Sequence, residues 1–303
     1  MGSSSGVEPR AVVVHSTARL GGLDLLHQSI ARQSTDAFDV VLVDYWWEER
    51  RALVAERFGG FAGQVVHVPP RKGRRRGVGW DGCQAWNTGF AVSRAVAPGV
   101  VLVIPTADYW IWSPRFVEQH LAVFNETHGV AALVGPHEVH ALPVESRSPK
   151  DALWSAFVNP VDTEAKIVAA VSKTPKWACR RDLDANPENR CGRFRGLQGG
   201  HTNWYGGLNE SIPRWALEAS NGLDESLDGV KQHVDTDWGR RLAALGLKFV
   251  VDEGAQMFRR LDPHELPPRY IFDDVSRANG AVFRIPTTES APRVLNGGFD
   301  VGG

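Results

Sequence analysis

The sequence is short of cysteine, of long apolar runs and of net charge, and each shortage excludes something. Three cysteines (Cys83, Cys179 and Cys191) in 303 residues are too few, and odd in number, for a disulfide framework. A reducing compartment is therefore expected. The most apolar stretches, Val12–Val14, Val40–Val43 and Val100–Ile104, fall well below the ~20 residues that a membrane-crossing helix needs. Met1–Gly6 lacks the charged start and apolar run of an export signal, so the expectation is a cytoplasmic protein without integral membrane association. Net charge is missing too: 34 Lys+Arg face 35 Asp+Glu, which excludes a chain that is basic throughout. With 43% hydrophobic and 23% charged residues, intrinsic disorder is excluded as well. Only 7 of the basic residues are Lys, whereas Trp occurs 11 times. Several of these Trp stand beside Asp or Gly, a setting suited either to a core or to stacking on sugars and bases.

What is present is an alternation of β-branched runs and amphipathic stretches. Ala11–His15, Phe38–Val43, Gln64–Val68 and Val100–Ile104 read as buried parallel strands. Helical spacing between them covers Leu23–Ala31, Glu48–Phe58 and Cys83–Val96, while Arg71–Gly79 reads as a Gly- and Arg-rich loop. This βαβ rhythm predicts a parallel sheet with helices on both faces. Ligands of such sheets sit beyond the carboxyl ends of the strands, which singles out His15–Thr17, Asp44–Trp46, Arg71–Asp81 and Thr106–Trp110. Further on, Ile212–Ser220 and Val234–Leu245 read as helices and Lys248–Val251 as a strand. Asp151–Phe157 and Thr163–Ser172 are helical patches in an otherwise irregular Leu142–Gly200, and an extended tail follows Pro263.

Asp44 and Asp108 each close a predicted strand. A carboxylate there either caps the next helix or meets a ribose, a base N–H or a divalent cation. Several segments then fall in a telling order: Asp44 after Phe38-Asp-Val-Val-Leu-Val43, Trp86-Asn-Thr-Gly89, the Asp108 strand end, Gly206-Gly-Leu-Asn-Glu-Ser-Ile-Pro213, Gly222-Leu-Asp-Glu225, and His233-Val-Asp-Thr-Asp-Trp-Gly-Arg-Arg-Leu242. Over roughly residues 11–250 this order resembles the GT-A fold glycosyltransferases of family 2. The resemblance implies an α/β fold, a Rossmann-like mixed sheet flanked by helices. A single GT-A domain would span 7–265, divided into a nucleotide-sugar-binding half (7–110) and an acceptor-side half (111–265), with a C-terminal extension over 266–303.

The activity implied is inverting transfer of a hexose from a nucleotide sugar, a UDP-sugar first of all, to a hydroxyl acceptor. By the same resemblance Ser16, Thr17, Asp44, Asp81, Asn87, Thr106 and Asp108 belong to the nucleotide-sugar site. Asp235 is the expected catalytic base, with Asp237 the second candidate; either residue also suits the start of a helix. Asp108 matches the last position of the family's Asp-x-Asp metal motif, and His264 is a second candidate ligand for Mn²⁺ or Mg²⁺, ions that favour oxygen donors. Thr106 stands where the first Asp of that motif would be, and Val234 replaces a Glu. Arg259 or Arg260 is an alternative partner for the diphosphate.

Arg71-Lys-Gly-Arg-Arg-Arg76 carries five positive charges in six residues. It reads either as a solvated loop that helps to hold the diphosphate or as a contact for a polyanionic acceptor. Arg74, Arg75, Arg76, Trp204 and Asn209 are accordingly the candidate acceptor-binding residues, and the acceptor is a saccharide or small molecule, or a hydroxymethylated base in DNA. Two alternatives remain: a nucleotidyltransferase of the same fold, and a catalytically degenerate binding module. The spacing of Cys179, Cys191 and His201 fits no zinc finger or ribbon.

Overall fold

A computed structural model describes residues 9–18, 22–72, 82–107, 110–134, 137–141, 195–197, 209–228, 234–251, 255 and 257–261. Four parallel strands form its first half: β1 (Ala11–Thr17), β2 (Phe38–Asp44), β3 (Val65–Val68) and β4 (Leu102–Ala107). Helices α1 (Leu23–Ala31), α2 (Trp47–Phe58) and α3 (Gly82–Val96) connect them. The chain continues through β5 (Trp110–Trp112), α4 (Phe116–Glu126), β6 (Ala131–Val134), β7 (His137–Ala141) and β8 (Arg195–Leu197). It ends with β9 (Glu210–Pro213), α5 (Arg214–Ala219), α6 (Val234–Ala244), β10 (Lys248–Val251) and β11 (Met257–Leu261).

Among the described residues the main sheet has the order β3-β2-β1-β4-β9-β6-β10-β8, and a second sheet has the order β5-β11-β7. Strand β9 runs antiparallel to both β4 and β6, so the sheet is mixed, as expected. Every residue of β1 is buried, and its alternating side chains feed two cores. Val12 and Val14 pack with Trp86, Phe90 and Trp238 on the α3–α6 side. Ala11 and Val13 pack with Leu23, Leu26, Trp112 and Phe116 on the α1–α4 side.

One predicted element is corrected. Ile212 belongs to a strand, not to a helix: Glu210–Pro213 is β9, and α5 begins at Arg214. Pro213, with φ −55° and ψ 137°, is the residue that stops the strand and opens the helix. The segment is too short for hydrophobic periodicity to tell strand from helix. The helical patches within 151–172, the tail after Pro263 and the domain boundaries at both ends lie outside the described residues.

Helix α3 approaches the sheet closely at Gly89. A Cβ there would lie 2.2 Å from Val14 Cγ1 and 3.0 Å from Val43 Cγ2, so α3 lies against β1 and β2 only because position 89 has no side chain. Overpacking of this kind costs about 1–3 kcal/mol. Gly89→Ala should lower stability by that amount in a denaturant titration; an unchanged midpoint would contradict the packing described.

Candidate functional site

Sheet register gathers the strand-end residues. Thr17 lies opposite Asp44, His15 opposite Thr106, Ser16 opposite Ala107, and Val43 opposite Val68. All of these stand at the carboxyl edge of β1–β4, where an α/β sheet binds ligands. A groove of about 740 Å³ lined by His27, Gln33, Asp36, Arg57 and Phe61, among others, opens at the opposite edge, ahead of β2 and β3. It is remote from the strand-end residues.

Asp44 is fully buried, and both of its oxygens are engaged. Oδ1 accepts from Trp46 N at 2.8 Å and from Arg50 Nη1 at 3.0 Å, while Oδ2 lies 3.1 Å from His67 Nε2. Arg50 is also fully buried, and its Nη1 donates to Thr17 Oγ1 at 3.3 Å. The carboxylate and guanidinium therefore neutralise each other beneath the edge. Above them, Trp46 is partly exposed, with its indole Nε1 donating to Ala18 O at 3.2 Å. Trp47 Nε1 donates to His67 O. Ser16 and Thr17 are both buried.

His15 and Thr106 form a second buried pair, with Nδ1 2.9 Å from Oγ1. Burial drives the His15 pKa down to about 3; Arg50 adds to this and Asp44 opposes it. The ring is neutral at physiological pH, and its Nε2 has no hydrogen-bond partner. The Thr106 hydroxyl is thus engaged beneath the surface and does not suit the cation-ligand role of the Asp it replaces. Among the described residues no group of three or more His, Cys, Asp or Glu could hold a metal ion.

The first two residues of the basic run, and the start of α3 that follows it, are both held by carboxylates. Glu225, buried at 3% exposure, accepts from Arg71 Nη2 at 2.8 and 3.1 Å, from Lys72 Nζ, and from Asn87 Nδ2 at 3.2 Å. Arg71 N donates to Thr88 Oγ1 and Lys72 N to Gln84 Oε1. Asp228 caps α3 through Cys83 N at 2.9 Å and Gln84 N at 3.2 Å. Two of the five charges of the run are therefore paired with one carboxylate, leaving a net positive charge at a partly exposed position.

The Trp86-Asn-Thr-Gly89 motif reads as a set of joints. Trp86 Nε1 donates to Thr106 O, and Asn87 Nδ2 and Oδ1 bond Leu223 O and N at 2.8 and 2.9 Å. Thr88 holds Arg71, and Gly89 admits the sheet. Gly222 has φ +68°, and a Cβ there would lie 2.4 Å from Asn87 Oδ1, so the Gly222–Glu225 turn fits only as glycine beside Asn87. Arg241 clamps the same turn from α6: its Nη1 donates to Ser220 O at 2.6 Å and Gly222 O at 2.7 Å, and it pairs with Asp237 Oδ2 at 2.8 Å.

The predicted residues thus fall into three groups. Ser16, Thr17, Asp44 and Thr106 meet at the edge. Asn87 and Asp237 are buried in the supporting joints. Asn209 is buried elsewhere, bonding His120 Nε2 at 3.2 Å and Ala255 O at 2.6 Å. Asp235 stands in the first turn of α6. The structures of Arg74, Arg75, Arg76, Asp81, Asp108, Trp204 and His264 lie outside the described residues, as does the Cys179/Cys191/His201 group. Sequence pattern missed the roles of Arg50, His15, Asp228 and Arg241. For Glu225 the only signal was its place in the Gly-Leu-Asp-Glu turn.

No protein-family model matches the sequence, and no curated protein matches it either. Solved structures do. The chain is similar to TarS of S. aureus, with TM-score 0.53 and 11% identity over 84% of this chain and 37% of that one. It is similar to the same extent to residues 1–349 of TarS in complex with UDP, where it spans 61% of the neighbour. The chain therefore covers less than two thirds of either neighbour. The shared architecture is a mixed α/β, GT-A-like fold. Among the described residues no helix is long and apolar enough to cross a membrane.

The buried histidines give a pH prediction. His120, like His15, is pushed down to about 3 by burial, against the opposing effect of the hydrogen bond that its Nε2 donates to Asn209 Oδ1. Both take up a proton more readily in the unfolded chain, whose pKa is about 6.5. Their stabilising effect is complete above that value and is lost as pH falls toward 3. Between pH 6.5 and 5, where most carboxylates stay ionised, stability should fall on the order of 1 kcal/mol per pH unit for each histidine. Denaturant titrations across this window check it, and His120→Asn should give a shallower slope.

Proposed function

We propose that this protein is an inverting glycosyltransferase of the family 2 type. It would move a hexose from a nucleotide sugar to a hydroxyl acceptor. The observation that carries this reading is the pair of cations, Arg71 and Lys72, fixed on buried Glu225 at the ligand edge of a GT-A-like sheet. One of the neighbours with that fold was solved with UDP, so UDP-sugars are the first donors to test.

In this mechanism the acceptor oxygen attacks the anomeric carbon and its proton passes to Asp235. The bond from that carbon to the diphosphate oxygen breaks, and the nucleoside diphosphate leaves with the electron pair. The leaving group gains negative charge, which Arg71 and Lys72 stabilise. Asp235 is suited to its part because α6 is held rigidly: Arg241 joins it to the turn that carries Glu225, and Trp238 Nε1 donates to Ser220 Oγ at 3.0 Å. Asn87 and Asp237 act as positioning residues. Mn²⁺ or Mg²⁺ is left with Asp108 and His264 as candidate ligands, and a chelator added to the transfer assay reads directly whether an ion is needed.

For the acceptor, Arg74, Arg75 and Arg76 are the candidate contacts to a polyanion. A saccharide or small soluble acceptor is the reading adopted here. Hydroxymethylated DNA is the second acceptor class to screen.

Two outcomes test the reading. Asp235→Asn should reduce transfer by about 10²–10⁴-fold while UDP binding, measured by calorimetry, stays within a few-fold; retained transfer would remove Asp235 as the base. Replacing Arg71 and Lys72 together by Ala should weaken UDP binding about tenfold or more and flatten its salt dependence. Unchanged affinity would show that the diphosphate lies elsewhere.

A further inference from the structure

We infer that the donor's base is recognised by stacking on Trp46 and not by hydrogen bonding to Asp44, so that the site discriminates weakly among nucleobases. This rests on the nucleotide-sugar reading above. It departs from the role that sequence resemblance gave Asp44.

The Asp44 carboxylate stands at the end of β2. It has no exposed surface, and its oxygens already accept from Trp46 N and Arg50 Nη1 and approach His67 Nε2. Turning it outward to meet a base N–H would strip the counter-charge from Arg50, which is itself fully buried. Removing one partner of a buried ion pair is strongly unfavourable, and one hydrogen bond to a neutral base does not offset it. Asp44 is thereby committed to the interior, where it fixes the backbone of Trp46.

Trp46 has the opposite character. It is partly exposed at the ligand edge, its backbone N–H is tied to Asp44, and its indole N–H is tied to Ala18 O just beyond β1. The backbone of Trp46 and the edge of its ring are therefore both held before any ligand arrives, which limits the entropy lost on stacking. Stacking accepts any base because every base has a π-face. A site that hydrogen-bonds a specific group can reject analogues by four or five orders of magnitude, whereas apolar contact alone discriminates far less.

The test is a calorimetric panel of UDP, dTDP, ADP and GDP with the full chain. The four dissociation constants should agree within tenfold, and Trp46→Ala should weaken all of them by about 5–100-fold. Trp46→Phe, which keeps a stacking ring, should stay within about fivefold of the unaltered protein and guards against a folding defect in the Ala variant. A preference for UDP greater than tenfold over ADP and GDP would overturn the inference. So would Trp46→Ala binding as tightly as the unaltered protein. Failure of all four nucleotides to bind would instead overturn the donor reading on which it rests.

Discussion

Glu225 is a buried carboxylate whose charge cannot stand alone, and much of the edge is arranged around meeting that need. An unpaired carboxylate at this depth would be driven to neutralise. Here Arg71 and Lys72 supply charge, and Asn87 supplies a further hydrogen bond. Satisfying Glu225 fixes where the basic loop leaves β3, where α3 meets the Gly222–Glu225 turn and, through Arg241, where α6 docks. One electrostatic requirement thus couples three elements that would otherwise pack only by shape.

This arrangement separates support from chemistry. The motif residues that carry the family resemblance are largely interior. Trp86, Asn87, Thr88 and Gly89 each hold a neighbour in place, and Asp237 holds Arg241. Side chains that could touch a ligand stand on such supports: Arg71 on Thr88 and Glu225, Lys72 on Glu225, and Trp46 on Asp44. The same division accounts for Thr106, whose hydroxyl is bonded within the protein to a neutral histidine.

The sequence made the local elements legible where hydrophobic period and length agreed. The buried runs of β1, β2 and β4 stand out because a parallel strand covered on both faces must be apolar throughout. Lys248–Val251 and α6 were visible for related reasons. Ile212 reads as helical because a four-residue strand that ends on a proline carries no decisive period. The Trp-rich stretch from Trp110 to Trp112 pairs with β11 from far along the chain, and no nearby repeat announces it. The candidate site was legible as a list of strand ends, since topology alone brings them to one edge. Which of those side chains turn inward was not legible. Asp44 looks the same in a sequence whether it faces a ligand or Arg50, and only the buried geometry decides.

The contacts around Glu225 also govern when the site can come into being. Arg71 and Glu225 are 154 positions apart in the chain, and Asn87 and Leu223 are 136 apart. Such pairings close long loops, which favours late formation in folding. During synthesis the first four strands can assemble while the basic loop still lacks its counter-charge. The candidate site is completed only when the turn near residue 222 arrives, so it is a property of the whole of this fold and not of its first four strands.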